Sequence, residues 1–349
     1  MTSATRKAAR ASRRDFLKLA AAASTTAGIG AIPRGVWAQA KTTTVNLQIG
    51  WLASGNQIGE VCAKRMGYYE EEKLNLAIQP GGPSIDGVAI VASGRFEIGQ
   101  VSSSPSLMLA ASQKIPVKCF AVGAPEHPYA FYSLPRAPVR TPKDFIGKKV
   151  GIQATGKILL TALLRKNNIP EKDVTVVVAG ADMTPLLTGQ VDVFTGWLTN
   201  TSALKPLGPD RIDLRLWDAG VQLYALPYYA TQDTLTKNPE MLAAFMRATA
   251  KGWKYARENQ AAAVDLLVKE YPNLVRDDEI DAAKVMLSFA FAGSSLKNGF
   301  GAMDLGNWTA QIALYDELKE FSAGAPKLDD VATTAILDAT RDARLKPLS

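Results

Sequence analysis

The sequence predicts an α/β fold made of two strand–helix units and a long helical tail. Short apolar strands alternate with helix-length segments from residue 43 to residue 124. The alternation restarts after residues 125–128 and continues to residue 232, and from Asn238 onward the pattern is helical almost to the end. This rhythm is typical of mainly parallel sheets that helices cover on both faces.

The first unit opens on a strand, because residues 45–51 alternate apolar and polar side chains with a period of two. Glycines follow the second strand, and Ser84 is placed to cap the next helix, which Gly94 ends. The strands of this unit are predicted at 45–51, 76–80, 96–102 and 117–122, and its helices at 58–74, 84–93 and after residue 104.

The second unit has the same character. Residues 141–144 (Thr-Pro-Lys-Asp) form a capping box with proline at the first helical position. Its strands are predicted at 129–134, 149–154, 174–179, 191–198, 214–216 and 224–231. In the tail, apolar residues recur at helical spacing and predict a buried stripe on one helix face: Leu242, Phe245, Met246, Thr249 and Trp253.

The N-terminus resembles a bacterial twin-arginine export signal. Arg13 and Arg14 precede an apolar pair and a lysine, a weakly apolar run covers 19–32, and an Ala-x-Ala site ends at Ala40. Basic, apolar and small-residue segments in this order are those of a cleaved signal peptide. We therefore expect residues 1–40 to be removed after Ala40 and the mature protein to be a monomer in the periplasm.

Removal of this segment changes the charge balance. Residues 1–40 hold seven of the 40 Lys and Arg but one of the 33 Asp and Glu, so the other 309 residues carry 33 basic and 32 acidic side chains. A nearly neutral chain gives no reason to expect a nucleic-acid partner. No later stretch reaches the roughly 18 apolar residues of a membrane span.

The two cysteines, Cys62 and Cys119, stand in apolar surroundings and are expected to be free core residues, although a disulfide is chemically allowed outside the cytoplasm. There is no Cys-x-x-Cys motif or Cys/His cluster, so no metal and no cofactor is predicted.

Four segments together resemble the solute-binding proteins of ABC importers for nitrate, sulfonates and thiamine-pyrimidine precursors. Residues 141–151 are close to the family's pattern P-x-D-L-x-G-K-x-V-G. The segments are the opening strand and helix into Gly67-Tyr68-Tyr69-Glu70, residues 141–151 (TPKDFIGKKVG), residues 186–193 (LLTGQVDV) and residues 238–256. Their order and spacing identify the chain as a member of that family.

The resemblance implies a type II periplasmic binding protein fold with two lobes joined by two crossovers. Lobe one would comprise 43–124 and 233–349, and lobe two 125–232. The lobes would close on a ligand by a hinge motion. A membrane permease and its ATPase would then receive the ligand.

Ligands of open α/β sheets lie beyond the carboxyl ends of the strands. This rule selects the candidate ligand-binding residues Trp51, Asn56, Ser84, Ser103, Ser104, Thr155, Gly156, Trp197, Asn200 and Tyr224. Residues at helix N-termini could hold a ligand oxygen, and the two tryptophans, which come from different lobes, could stack on a flat ligand. The alternatives are that the tryptophans are core, the serines caps and Asn200 a turn residue. His127, the sole histidine, is expected to be structural.

The candidate loops hold no Arg or Lys apart from Lys157. A dedicated anion site usually needs such a charge or several N–H groups aimed at the anion. Because the candidate set is aromatic, we expect a flat, mostly neutral nitrogen heteroaromatic such as a thiamine-type pyrimidine. A binder of an alkanesulfonate or another small anion is the alternative. We expect no enzyme, since a pyrimidine synthase of the same fold uses a cysteine-rich motif and an active-site histidine, and no G-x-S-x-G turn is present. An interaction protein without a small ligand is a third hypothesis.

Overall fold

The computed structural model describes residues 42–82, 85–153, 156–180 and 182–345. The export segment and the candidates Ser84 and Thr155 lie outside these residues. The strands, in chain order, are β1 (Thr43–Ile49), β2 (Leu74–Gln79), β3 (Ile98–Gln100), β4 (Val117–Ala124), β5 (Tyr129–Ser133), β6 (Lys149–Ile152), β7 (Thr175–Val178), β8 (Val193–Trp197), β9 (Ile212–Arg215) and β10 (Ala225–Thr231).

Helices in the first two-thirds of the chain are short and follow the strands. They are α1 (Ile58–Arg65), α2 (Tyr68–Glu71), α3 (Gly87–Ala92), α4 (Pro105–Ser112), α5 (Lys157–Lys166), α6 (Thr184–Leu187) and α7 (Thr201–Leu204), with 3-10 turns at Gly55–Gln57, Pro142–Phe145, Glu171–Asp173 and Lys205–Leu207.

The remainder of the described chain is helical, as the sequence predicts. Its helices are α8 (Gln232–Lys237), α9 (Pro239–Glu258), α10 (Gln260–Glu270), α11 (Arg276–Ala290), α12 (Gly293–Asn298), α13 (Leu305–Glu317), α14 (Leu328–Val331), α15 (Ala335–Ala339) and α16 (Arg341–Leu345).

The strands form two five-stranded sheets with the same topology. The first sheet has the order β2-β1-β3-β10-β4 and the second the order β7-β6-β8-β5-β9. In each sheet four strands run in one direction, and one strand, β10 or β5, runs against them. The expected α/β class with mainly parallel sheets and flanking helices is therefore confirmed.

The predicted lobe boundary at residue 232 is wrong for β10. The sequence places residues 225–231 with the second unit, but β10 hydrogen-bonds to β3 and β4 of the first sheet, with Tyr228 opposite Gln100 and Pro227 opposite Val122. All seven residues of β10 are buried between these neighbours. The chain thus returns to the first sheet between β9 and β10, and not after residue 232. The rest of the division into lobes stays a prediction.

Local patterns account for the first elements. Val45, Leu47 and Ile49 of β1 are fully buried, as the period of two predicts. The single helix predicted at 58–74 is divided into α1 and α2, because Gly67 has a φ of 78°. Glycine adopts this left-handed conformation without steric cost, so it ends α1 and turns the chain.

Helix α9 packs its apolar stripe into the core beside α1. All five residues of the predicted stripe are buried, which confirms that prediction. A Cβ atom on Gly59 would lie 2.1 Å from the ring of Trp253, so glycine at that position lets the two helices approach closely. The indole of Trp253 also stacks on Phe300 at 4.8 Å between ring centroids.

Both cysteines are buried and free, as the sequence predicts. The tail reaches the outer strand of the first sheet through isolated bridges from Cys119 to Ala332 and from Val122 to Gly301. Across the described residues, the helices lack the combination of length and apolar composition that a bilayer span requires.

Candidate functional site

A cavity of about 1030 Å³ lies between the two sheets, beyond the carboxyl ends of β1, β3 and β8. This size suits a small organic ligand. One wall, which we call the first wall, comes from the first sheet and its loops. The opposite wall, the second wall, comes from β5, β8 and the start of α5. The cavity thus occupies the position that the strand-end rule predicts.

Six of the candidate residues line this cavity: Trp51, Asn56, Ser103, Gly156, Trp197 and Asn200. Contact between each of them and a ligand stays a prediction. Asn200 precedes α7 but makes no side-chain cap hydrogen bond, so its amide remains available to the cavity. Trp51 is 42% exposed and stands at the rim beside the exposed Leu52 and Ile85, which makes the mouth of the cavity apolar.

Two of the predicted residues, Ser104 and Tyr224, do not line the cavity. The Ser104 hydroxyl is fully buried, donates to Gln311 Oε1 at 2.5 Å and accepts from the Tyr224 backbone N–H at 3.1 Å. The Tyr224 hydroxyl donates to the Asp304 carbonyl at 2.9 Å, and its ring packs on Trp308. Both side chains connect the second crossover to the helical tail, because their polar atoms are satisfied inside the protein.

The first wall is backed by a chain of buried polar side chains. Gln57 Nε2 donates to Gln100 Oε1 at 3.0 Å, and Gln100 Nε2 donates to Glu60 Oε1 at 3.0 Å. The Tyr228 hydroxyl donates to the same carboxyl oxygen. Gln57 and Gln100 line the cavity, whereas Glu60 is fully buried behind them. The sheet and helix α1 thus bring a carboxyl group to the rear of the cleft.

The environment of Glu60 disfavours its charge. Burial raises its pKa from 4.5 to about 7, although the Tyr228 and Gln100 hydrogen bonds act in the opposite direction. The other carboxyl oxygen, Oε2, has no hydrogen-bond partner. Desolvation of a carboxylate favours the neutral acid, so the group changes charge near neutral pH.

The second wall is aromatic. Trp197 ends β8 and packs edge-on against His127 at 5.0 Å between ring centroids, and Tyr129 at the start of β5 packs against the same imidazole at 6.2 Å. Trp197 and Tyr129 line the cavity. A Cβ atom on Gly156 would lie 2.2 Å from the Tyr129 hydroxyl, so a larger residue at this position would have to displace that hydroxyl.

His127 is fully buried and holds Ser103 in place. Its Nδ1 accepts the Tyr129 backbone N–H at 3.1 Å, which puts the ring proton on Nε2. Nε2 then donates to Ser103 Oγ at 2.6 Å, leaving the serine hydroxyl free to donate into the cavity. Burial lowers the pKa of His127 from 6.5 to about 3, so the imidazole is neutral at neutral pH. The structural role expected for His127 agrees with this geometry.

The electrostatic character of the cleft differs from that of an anion site. Among the lining residues in the described part of the chain, Asp86 is the one with a formal charge, and none is Lys or Arg. The Asp86 carboxylate also caps α3 by accepting the Ala89 N–H at 2.9 Å. The wall therefore offers amide, hydroxyl and aromatic groups to a ligand and no cationic group.

Sequence reasoning missed the glutamines and the carboxyl behind them, and it also missed Leu226. Gln57, Glu60 and Gln100 look like ordinary polar positions on a helix or strand until the packing is known. Leu226 lines the cavity with a φ of 53°, an unusual conformation for a large side chain. The one signal that could have pointed to Gln100 is its own position, as a glutamine in the short buried strand β3.

Across residues 42–82, 85–153, 156–180 and 182–345, no group of three or more His, Cys, Asp and Glu side chains is placed to hold a metal ion. The polar groups of the cleft are suited to hydrogen bonding with an organic ligand.

Curated relatives are about a quarter identical to this chain over the aligned residues. A 4-amino-5-hydroxymethyl-2-methylpyrimidine phosphate synthase of Legionella pneumophila is 26% identical over 237 residues, which cover 66% of this chain and 74% of the relative. A formylaminopyrimidine-binding protein of Halalkalibacterium halodurans is 25% identical over 287 residues, which cover 78% of this chain and 84% of the relative. These similarities support a solute-binding role and small-molecule binding.

The prediction that the chain is not an enzyme is contradicted by these relatives. Proteins of Legionella pneumophila, Schizosaccharomyces pombe and Aspergillus parasiticus that match it are all named as the same pyrimidine phosphate synthase. The prediction rested on the lack of a cysteine-rich motif expected of a pyrimidine synthase, and similarity to proteins that carry the name of such a synthase shows that this lack was not a sufficient reason to exclude an enzyme.

Solved structures match the fold. The periplasmic aliphatic sulphonate binding protein SsuA of Escherichia coli superposes with a TM-score of 0.62 at 17% identity, covering 80% of this chain and 92% of that one. At this identity the similarity shows the periplasmic binding protein fold alone.

The family model described as NMT1/THI5 like matches residues 54–263. These residues include Asn56, Ser103, Gly156 and Trp197 of the cleft, together with Gln57, Glu60 and Gln100. The match confirms the family resemblance that the motifs indicate. Because it spans more than half of the 349 residues, the chain belongs to the NMT1/THI5-like family.

Proposed function

We propose that this protein captures a small, flat nitrogen heteroaromatic solute, of the thiamine-pyrimidine type, in the cleft between its two sheets. The observation that carries this proposal is the make-up of the cavity wall. Trp51, Trp197 and Tyr129 offer aromatic surface, Ser103 and the glutamines offer hydrogen bonds, and the described lining residues include no Lys or Arg. A planar ring with polar edges satisfies both kinds of surface.

The named relatives agree with this ligand class. A relative that covers 78% of the chain carries formylaminopyrimidine in its name, and another is named for a hydroxymethylpyrimidine phosphate. An alkanesulfonate is the competing ligand, because similar folds belong to sulfonate-binding proteins. Among the described lining residues, the one with a formal charge is Asp86, which is acidic. A sulfonate would therefore have to be held by neutral N–H and O–H donors.

The proposal extends to location and delivery. The chain would leave the cytoplasm through its twin-arginine segment, lose residues 1–40 and pass its ligand to an ABC permease and ATPase. The two sheet units would act as lobes that close on the ligand. The test of export is Arg13→Lys with Arg14→Lys, followed by cell fractionation. Undiminished periplasmic delivery of this variant would contradict the route, and a mature N-terminus at Lys41 would support the cleavage position.

Thermal stabilisation tests the ligand class. The protein should be melted with formylaminopyrimidine, 4-amino-5-hydroxymethyl-2-methylpyrimidine, ethanesulfonate and nitrate. A ligand that binds the folded form alone stabilises it by about 2.7 kcal/mol at a hundredfold excess over Kd. We expect one or both pyrimidines to raise the Tm and the anions to leave it unchanged. Stabilisation by ethanesulfonate without any response to pyrimidines would overturn the proposed ligand class.

A further inference from the structure

The cavity is connected to one buried acidic group that ligand capture does not by itself explain. Glu60 lies on α1, is fully buried, and touches the cleft through Gln100 and then Gln57. Its Oε2 and the nearby core indole nitrogen of Trp253 make no hydrogen bond of ordinary geometry, although the indole N–H still acts to lower the pKa of Glu60. A carboxyl with one unpaired oxygen at this depth is costly, so an apolar core residue of similar size would be more favourable for stability alone.

We propose that Glu60 is a positioning residue of the cleft, which fixes the direction of the two glutamine amides so that both turn a spare N–H toward the cavity. The consequence, which rests on the proposed function, is a preference for ligands whose edge accepts hydrogen bonds at this wall. A pyrimidine ring nitrogen or a carbonyl oxygen is an edge of this kind.

The direction of the amides follows from their two ends. At the inner end, Glu60 Oε1 accepts from both Gln100 and Tyr228, so Gln100 must present Nε2 to it and Oε1 to Gln57. At the outer end, Gln57 Oε1 accepts the Ser54 backbone N–H at 3.3 Å, so Gln57 must present Nε2 to Gln100. Each amide nitrogen has two protons and uses one in this chain, which leaves one on each side chain.

Protonation of Glu60 weakens this arrangement. A carboxylate accepts hydrogen bonds and cannot donate them, whereas the neutral acid brings an O–H that competes with the amide donors. The titratable groups that face Glu60 are Tyr228 of β10, Tyr69 of α2, Cys62 of α1 and Tyr271 after α10, and burial raises the pKa of each. Helix α9 faces it with Trp253. Lys64 and Arg65 of α1 are paired with Glu270 instead.

Side-chain amide NMR of the ligand-free protein tests the positioning directly. The protein is labelled with 15N-glutamine, and the Nε2 signals are assigned from Gln57→Ala and Gln100→Ala. We expect both signals to shift with pH through one shared midpoint near the Glu60 pKa of about 7. In Glu60→Gln the shared transition should disappear. Signals that do not respond to pH in the unsubstituted protein, or that respond equally in Glu60→Gln, would overturn the proposal.

Two further variants keep the test decisive if Glu60→Gln folds poorly. Glu270→Gln removes a carboxylate that also contacts α1 but is not joined to the glutamines, so the shared transition should persist. Tyr228→Phe removes a hydrogen bond that lowers the pKa of Glu60 and leaves the amides in place. We expect the midpoint of both glutamine signals to move to higher pH in Tyr228→Phe. An unmoved midpoint would exclude Glu60 as the titrating group.

Calorimetry with formylaminopyrimidine then separates this proposal from the proposed function. Because the amide directions are no longer fixed in Glu60→Gln, we expect the binding of this probe to weaken by about tenfold, which corresponds to the loss of one hydrogen bond to the ligand, and we expect Glu270→Gln to bind as the unsubstituted protein does. Equal affinity in Glu60→Gln and the unsubstituted protein would overturn the positioning role. If neither pyrimidine binds the unsubstituted protein, the proposed function fails, and the NMR titration alone decides the role of Glu60.

Discussion

The two walls of the cleft are built on sheets of the same topology but present different chemistry. The first wall carries an amide chain that ends on the buried carboxyl of Glu60, and the second wall carries Trp197 and Tyr129 around the buried imidazole of His127. The antiparallel strand of each sheet supplies a tyrosine to the arrangement, Tyr228 on β10 and Tyr129 on β5.

The two sheets thus carry two different kinds of binding surface. Hydrogen bonds are directional, so the first wall is suited to select the edge of a ligand. Aromatic faces accept any flat ring, so the second wall is suited to affinity. Burial favours the neutral form of the ionisable group behind each wall. It therefore raises the pKa of Glu60 and lowers the pKa of His127.

Truncation of the second wall should have the largest effect. In Trp197→Ala we expect pyrimidine binding to weaken by about tenfold to a thousandfold, because stacking and apolar burial are both lost. Trp51→Ala should weaken pyrimidine binding less than Trp197→Ala does, since Trp51 is more exposed. The matched control is Trp217→Ala, another half-buried tryptophan, which lies outside the described cleft. Calorimetry and a melting curve separate the effects. Unchanged affinity would remove Trp197 from the site, and a collapsed Tm would assign it to the core.

The two buried groups should give opposite pH dependences of stability. Stability from Glu60 is present below its ordinary pKa of 4.5 and is lost as pH rises through about 7. Stability from His127 is present above pH 6.5 and is lost as pH falls toward about 3. Between pH 4.5 and 6.5 the two slopes offset each other, each at about 1.4 kcal/mol per pH unit for a full proton.

Single variants separate these slopes. Relative to the unsubstituted protein, the unfolding free energy of Glu60→Gln should rise with pH in this window, and that of His127→Gln should fall. Urea unfolding at a series of pH values measures both. Parallel curves for the two variants would show that the buried groups do not titrate as this environment implies.

A smaller effect is expected from the hydroxyl that joins the two walls. Ser103→Ala leaves the buried Nε2–H of His127 without an acceptor, which costs about 1–3 kcal/mol of unfolding free energy. Ser106→Ala, at an exposed position of the same cavity, should stay within about 0.5 kcal/mol. Denaturant melts compare the two variants. Equal stability of both would mean that the serine–histidine bond contributes nothing measurable.

The smallest effect should come from an ion pair between the segment after β8 and the helical tail. Lys205 Nζ lies 2.7 Å from Asp278 Oδ1, and both side chains are partly exposed. If this contact supports closure, Lys205→Ala should weaken ligand binding by less than about fivefold, and the difference should fade at high salt. Titrations at two ionic strengths provide the measurement. A loss that persists at high salt would indicate a packing effect instead.

Local periodicity was enough to predict the class of fold and the edge where the cleft lies. Strands such as β1 were recognisable from alternating apolar and polar residues or from short apolar runs. Their carboxyl ends predicted which loops lie together, and Trp51 and Trp197 do line one cavity. It could not show that β10 crosses back to pair with β3 and β4, because strand pairing over more than a hundred residues leaves no local signal.

The sequence also could not predict the direction in which individual side chains point. Ser104 and Ser103 are adjacent and have the same hydroxyl, but one turns toward Gln311 in the core and the other toward His127 and the cavity. Glu60 sits on α1, where glutamate usually faces solvent, and its burial depends on the packing of α1 against α9 and β10. Such choices are decided by tertiary contacts and not by residue type.

A crystal structure with the more strongly stabilising of formylaminopyrimidine and 4-amino-5-hydroxymethyl-2-methylpyrimidine tests the central claim most directly. We expect the ring to stack on Trp197 of the second wall, with one accepting edge within hydrogen-bond distance of Gln57 or Gln100 Nε2 on the first. A pyrimidine bound outside the cleft, or held there without contact to either wall, would contradict the division of recognition between the amide chain and the aromatic wall.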